Sequence, residues 1–125
     1  MRRLVVGLAI SLAPAFAAGQ TADQFDLDCV GAYHNSTGAG DLTNRRYHID
    51  LKASRWCYDQ CAQPQAFTSI TADLLTLERP PLARPDIAHT INRQTGGLYD
   101  NSGGGVYFQG TCTKAAFTPL PEPKF

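Results

Sequence analysis

Four cysteines and three histidines give this 125-residue chain its widest chemical range. Cys57 and Cys61 form a Cys-x-x-x-Cys pair. Redox dithiols normally have two intervening residues at a helix N-terminus, which lowers the thiol pKa. The wider spacing here, with no helix signal, reads instead as a structural disulfide. With His48 the same pair offers three metal-ligating side chains. A structural zinc site needs four ligands in fixed spacing, so no metal is expected. His34, His48 and His89 are scattered, and no serine or cysteine sits in a Gly-x-Ser-x-Gly nucleophile turn. His48 and Asp50 share one strand parity, which suits either an acid–base pair or a plain polar outer face. Asp26 and Asp28 also share a parity. Catalytic carboxylate pairs flank a bond from two sides of a cleft, so these two read as a solvated strand face. Gly103 to Gly105 lacks the Lys-Ser/Thr of a phosphate loop. The sum predicts no enzyme and no cofactor.

The elements that must carry these residues are strands. Tyr47, Ile49 and Leu51 alternate with His48, Asp50 and Lys52, the period of a half-buried strand. Lys52 to Arg55 turn the chain, and Trp56-Cys57 starts a second run holding the only tryptophan. This hairpin is the organising element, with Trp56 as its anchor. Before it, Phe25, Leu27, Cys29 and Tyr33 share one parity, with Asp26 and Asp28 facing out. After it, 67–71 and 74–77 make one or two strands, with a short helix from Asp73 as the competing reading. Arg79 to Pro85 is a proline-rich loop or edge. Ile87 to Ile91 is a strand, and Asn92-Arg93-Gln94-Thr95-Gly96 a tight connection with Gly96 left-handed. Gly97 to Asp100 returns, 101–105 is a loose loop, and Val106 to Cys112 is the last strand. About eight short strands with no helix predict a small all-β antiparallel meander, closed as a barrel or packed as a sandwich.

Met1-Arg2-Arg3, the apolar run Leu4 to Leu12 and Ala15-Phe16-Ala17 together form a secretory signal peptide, cleaved after Ala17 or Ala18. The run is too short to span a bilayer, so no stable membrane anchor is expected. The division is a signal at 1–18, a β-domain at 19–118 and a proline-rich tail at 119–125, in an exported, periplasmic or secreted chain. The whole chain carries 11 basic and 11 acidic residues. Losing Arg2 and Arg3 leaves an acidic excess, and a nucleic-acid binder needs a clustered basic patch. Arg45-Arg46 comes closest and reads as a solvated strand entrance. Four cysteines in a small exported domain imply stapling. Of the three pairings, Cys29 with Cys112 and Cys57 with Cys61 is favoured. Cys29 and Cys112 lie on the apolar parity of the first and last strands, so side-by-side terminal strands would be fastened there.

Phe25-x-Leu27-x-Cys29, Tyr47 to Cys61, Asn92 to Gly96 and Gly110 to Cys112 resemble a set of small secreted bacterial β-proteins to which no activity attaches. A second resemblance is to the periplasmic inhibitors of C-type lysozyme, which share a signal, a small β-barrel and a cysteine near each end. Their inhibitory loop carries Ser-Gly-x-x-Tyr. Ser102-Gly103 matches it in register, and Tyr107 stands one residue late.

The expected function is therefore binding of a protein or small-molecule partner, without catalysis and without nucleic acid. The loop residues Asn101, Ser102, Gly103 and Tyr107 are its candidate site, since glycine-rich loops leave backbone free to meet a partner. Hydrolase or lysozyme inhibition through 101–107 is the alternative. A small enzyme built on scattered His and Asp residues ranks lowest.

Overall fold

The first and last strands lie side by side, with Cys29 directly opposite Cys112. The computed structural model describes residues 22–78, 83–84 and 87–122. The expected signal at 1–18, part of the proline-rich loop and the last residues of the tail lie outside these. Ten strands follow in order: β1 (Gln24–Asn35), β2 (Gly38–Ala39), β3 (Thr43–Asp50), β4 (Arg55–Tyr58), β5 (Gln65–Ala66), β6 (Ser69–Ile70), β7 (Leu74–Glu78), β8 (Ala88–Asn92), β9 (Gly97–Asn101) and β10 (Tyr107–Ala115). The described residues contain no helix, so the region after Asp73 is strand.

The strands form one antiparallel sheet in the order β5-β4-β3-β1-β10-β9-β8-β7-β6, with β2 beside β1, and the sheet curls into a half-barrel. Its two ends are joined by one extended stretch. β5 pairs with β4 and β6 with β7. Between them, Phe67 N–H donates to Ser54 and Thr68 N–H donates to Thr76. The terminal strands β5 and β6 are two residues each, and short edge strands limit edge-to-edge association.

β1 and β10 approach most tightly where glycines face each other. Gly31 and Gly110 face each other on β1 and β10. A Cβ on Gly31 would lie 2.2 Å from the Gln109 carbonyl oxygen and 2.5 Å from the Gly110 Cα. Only two residues without side chains permit this approach. The β8–β9 connection is the one expected: Gly96 has φ +77, and the Asn92 side chain accepts from the Gln94 and Thr95 N–H groups.

The concave side holds the core, built from Phe25, Leu27, Tyr47, Ile49, Trp56, Phe67, Leu75, Leu77, Ile91, Leu98 and Phe108. Trp56 is 3% exposed and its indole N–H donates to Ala66 O at 3.3 Å, so the hairpin anchor also fixes β5. Full burial of a large apolar side chain contributes about 1.5–3 kcal/mol each. Both favoured disulfides are present, Cys29–Cys112 on the concave side and Cys57–Cys61 beyond β4.

Two expectations about charge fail. Asp26 lies on the outer face but is fully buried, because Thr118 of the C-terminal segment covers it. Arg45 is no solvated strand end. It is 8% exposed and points into the half-barrel on the parity of Tyr47 and Ile49.

Candidate functional site

Three clusters gather the chemistry-bearing residues. The first is inside the curl. Arg45 on β3 donates from Nη1 to Asp100 Oδ2 on β9 at 2.7 Å and to the Tyr47 hydroxyl at 3.1 Å, and from Nη2 to the Tyr33 hydroxyl at 2.9 Å. Its guanidinium carbon lies 3.9 Å from the Phe108 ring centroid, with Tyr33 and Tyr58 flanking it, a cation–π cage. The Nε–H is buried with no hydrogen-bond partner among the described residues. Burial would lower the Arg45 pKa, but the bonds to Asp100, Tyr33 and Tyr47 outweigh it and hold the cation firmly charged.

Tyr47 OH sits 2.8 Å from His89 Nε2. That hydroxyl accepts from Arg45 and keeps its own proton to donate to Nε2 when the ring is neutral. A neutral ring so bonded carries its proton on Nδ1, 3.9 Å from Asp100 Oδ1. Burial drives the His89 pKa down, Asp100 opposes this and Arg45 adds to it. Burial likewise pushes the Tyr47 phenol well above its ordinary value. His89 is thus a buried, hydrogen-bonded residue. The cluster is packed between Trp56 and Phe108 and uses its polar groups on one another.

The second cluster is on the convex face. Asp26 Oδ1 accepts from His48 Nδ1 at 2.9 Å and from the Thr118 N–H at 3.0 Å. Its Oδ2 accepts from Arg46 Nε at 2.9 Å and the Thr118 hydroxyl at 2.7 Å. Arg46 also bridges to Asp28 at 2.8 Å. Burial alone would raise the Asp26 pKa. The two Thr118 bonds, then His48 and Arg46, outweigh it and hold the carboxyl below its ordinary value. His48 Nε2 meets the Asp59 carbonyl at 2.7 Å. Both ring nitrogens thus face oxygens that only accept, so both bonds require a proton on each nitrogen. The carboxylate partner of His48 is therefore Asp26 across the β1–β3 pair. Asp50 takes the Gln24 amide and the Ala53 N–H instead.

The third is the loop after β9. Gly103, Gly104 and Gly105 have φ of +98, +75 and +78, a run that only glycine adopts easily. Asn101 Oδ1 accepts from the Gly103 N–H at 2.9 Å, and its amide donates to the Tyr99 hydroxyl at 3.2 Å. Asn101 therefore shapes the loop, while Ser102 at its start is exposed. The Tyr107 ring is turned to the convex face. It stacks on His34 at 5.0 Å and neighbours Tyr99 at 5.6 Å. Ser102 and Tyr107 stand at the two ends of the loop, and Gly103 opens its turn.

No group of three or more His, Cys, Asp or Glu side chains is placed to hold a metal among the described residues. Cys57 and Cys61 are tied to each other. Motif and spacing do not reveal Arg45, Asp100 and Tyr33 as a cluster. The available signal was parity: Arg45 aligns with Tyr47 and Ile49, and Asp100 with Leu98. Opposite charges on two apolar faces must find each other. Asp26 gave no such signal, because its cover comes from Thr118, 92 residues on.

Comparison with protein-family models, curated proteins and solved structures finds no match. Two disulfides fit an oxidising, non-cytoplasmic compartment. No helix among the described residues is long and apolar enough to cross a membrane.

Proposed function

We propose that this chain is an exported, non-catalytic β-domain that recognises a protein partner through residues 101–107. One contrast carries the reading. The charged candidates spend their polar atoms internally: Asp26 on Thr118, His48 and Arg46, and Arg45 on Asp100 and the tyrosines. The loop instead offers an exposed Ser102 and three left-handed glycines on a base held by Asn101. Tyrosine, serine, glycine and asparagine are the residues that binding loops favour, because they combine rigid rings with adaptable hydrogen bonds. The disulfides hold the scaffold beneath such a loop.

The test is site-specific photo-crosslinking in the exporting host, with the reactive residue at Ser102 in one variant and at Thr113 in another. A discrete adduct from position 102 that is missing from position 113 supports the loop. Adducts from both positions, or from neither, reject it. A C-type lysozyme assay decides the inhibitor version separately. That version needs wild-type inhibition that is lost in Ser102→Ala and retained in His48→Ala.

A further inference from the structure

The register of five strands lines up one row of outward side chains. Ser69 is opposite Thr76, Thr76 opposite Thr90, Thr90 opposite Tyr99 and Tyr99 opposite Gln109. Every member carries a hydroxyl or an amide, and none is buried. At about 4.8 Å per strand, four steps make a track about 19 Å long. Among the described residues, the side chains of Ser69, Thr76, Thr90 and Gln109 make no hydrogen bond, while the Tyr99 hydroxyl accepts one from Asn101. Ser69 and Gln109 are exposed, and Thr76, Thr90 and Tyr99 are half-buried.

Two further features belong to the same face. Tyr99 sits within the row, and Tyr107, stacked on His34, lies beside it, so flat apolar ring surface adjoins the polar groups. None of the outward side chains of β8, β9 and β10 is charged, although 18% of the chain is Asp, Glu, Lys or Arg. The charged outward residues Asp26, Asp28, Arg46 and His48 gather instead on β1 and β3.

We infer that this row is a binding track for an extended, uncharged glycan. Such a chain presents hydroxyl groups at intervals along its length and apolar C–H faces on its rings. The first match the hydroxyl and amide side chains, and the second match the tyrosine rings. An acidic or basic polymer would meet no counter-charge there. Specificity comes from a row of hydroxyls and amides rather than a deep pocket, so affinity is modest, with Kd on the order of 0.1–1 mM. The track adjoins the 101–107 segment at Tyr107, but its row from Ser69 to Gln109 lies on strand side chains that do not include Ser102. Its failure would leave the loop reading intact, and the reverse holds too.

The experiment titrates the oxidised chain with cellohexaose, chitohexaose and an oligogalacturonate, reading amide chemical shifts and heat. The expected result is binding of at least one neutral hexasaccharide, with shifts centred on Thr90, Tyr99 and Gln109. Tyr99→Ala lowers its affinity about tenfold or more. Thr90→Val with Gln109→Ala, which leaves the core untouched, also weakens it while keeping the thermal midpoint, and Ser102→Ala changes nothing. The inference is overturned if neither neutral hexasaccharide binds or if the shifts map elsewhere. Equal binding of the oligogalacturonate, or full binding by the Thr90/Gln109 variant, overturns it as well.

Discussion

Arg45 and Asp100 meet at 2.7 Å although β1 and β10 lie between their strands in the sheet. The contact crosses the hollow of the half-barrel and exists only because the sheet curls. Removing one partner leaves the other charge without its match in a packed interior. Asp100→Ala should therefore cost about 3 kcal/mol, the lower end for breaking a buried pair, since Asp100 keeps 21% side-chain exposure. Replacing both, as Arg45→Met with Asp100→Leu, should recover most of that loss. Urea midpoints of Arg45→Met, of Asp100→Leu and of the double variant read the coupling directly. Additive losses would mean the pair is not coupled.

Acid should weaken the fold in two stages. Burial holds the His89 pKa below its unfolded value, about 6.5 for a free histidine. The unfolded chain therefore takes up that proton first, and stability falls as pH drops from about 6.5 towards the native value. Asp26 follows. Burial raises its pKa, but its hydrogen bonds win and depress it. Its contribution is complete above the unfolded value of about 3.9 and is lost as pH falls through the native one. An NMR titration should find the His89 ring below the ordinary histidine range, and Asp26→Asn should flatten the lower stage of the urea midpoint profile. A His89 value at or above about 6.5 would contradict the lowering that burial imposes.

Gly31→Ala should be among the most damaging small substitutions. The added Cβ meets backbone at 2.2 and 2.5 Å, and backbone of a central strand pair cannot step aside cheaply. About 1–3 kcal/mol is the cost of a comparable overpacked methyl in a core, and the fixed β1–β10 register places this one at the upper end. Gly104→Ala meets nothing within 4 Å, so it pays only for its left-handed φ of +75, about 1–2 kcal/mol. Thermal midpoints of the two variants should rank in that order.

The two disulfides should differ in weight. Cys29 and Cys112 are 83 residues apart, Cys57 and Cys61 only 4. Loop-closure entropy then gives about 4–5 kcal/mol for the first and about 2 kcal/mol for the second. The Cys29→Ala, Cys112→Ala variant should melt well below the Cys57→Ala, Cys61→Ala variant. Thiol titration of the denatured, unreduced wild type should find no free thiol.

Local pattern was enough to determine the all-β class, the hairpin around Trp56, the Gly96 turn, the terminal pairing and both disulfides. Each of these rests on side-chain period, turn chemistry or cysteine parity, which act over a few residues or mark a strand face. The strands β2, β5 and β6 have two residues each, too few to show a period, and their existence depends on neighbours already in place. Only the tertiary structure decided the fate of the charges. Arg45 turned from apparent strand entrance to caged core cation because curling brought Asp100 within reach, and Asp26 was buried by Thr118, a residue that sequence separation hides. The same holds for the outward row from Ser69 to Gln109. Its members are ordinary polar residues along the chain, and strand register alone aligns them, because it is fixed by hydrogen bonds between segments far apart in sequence.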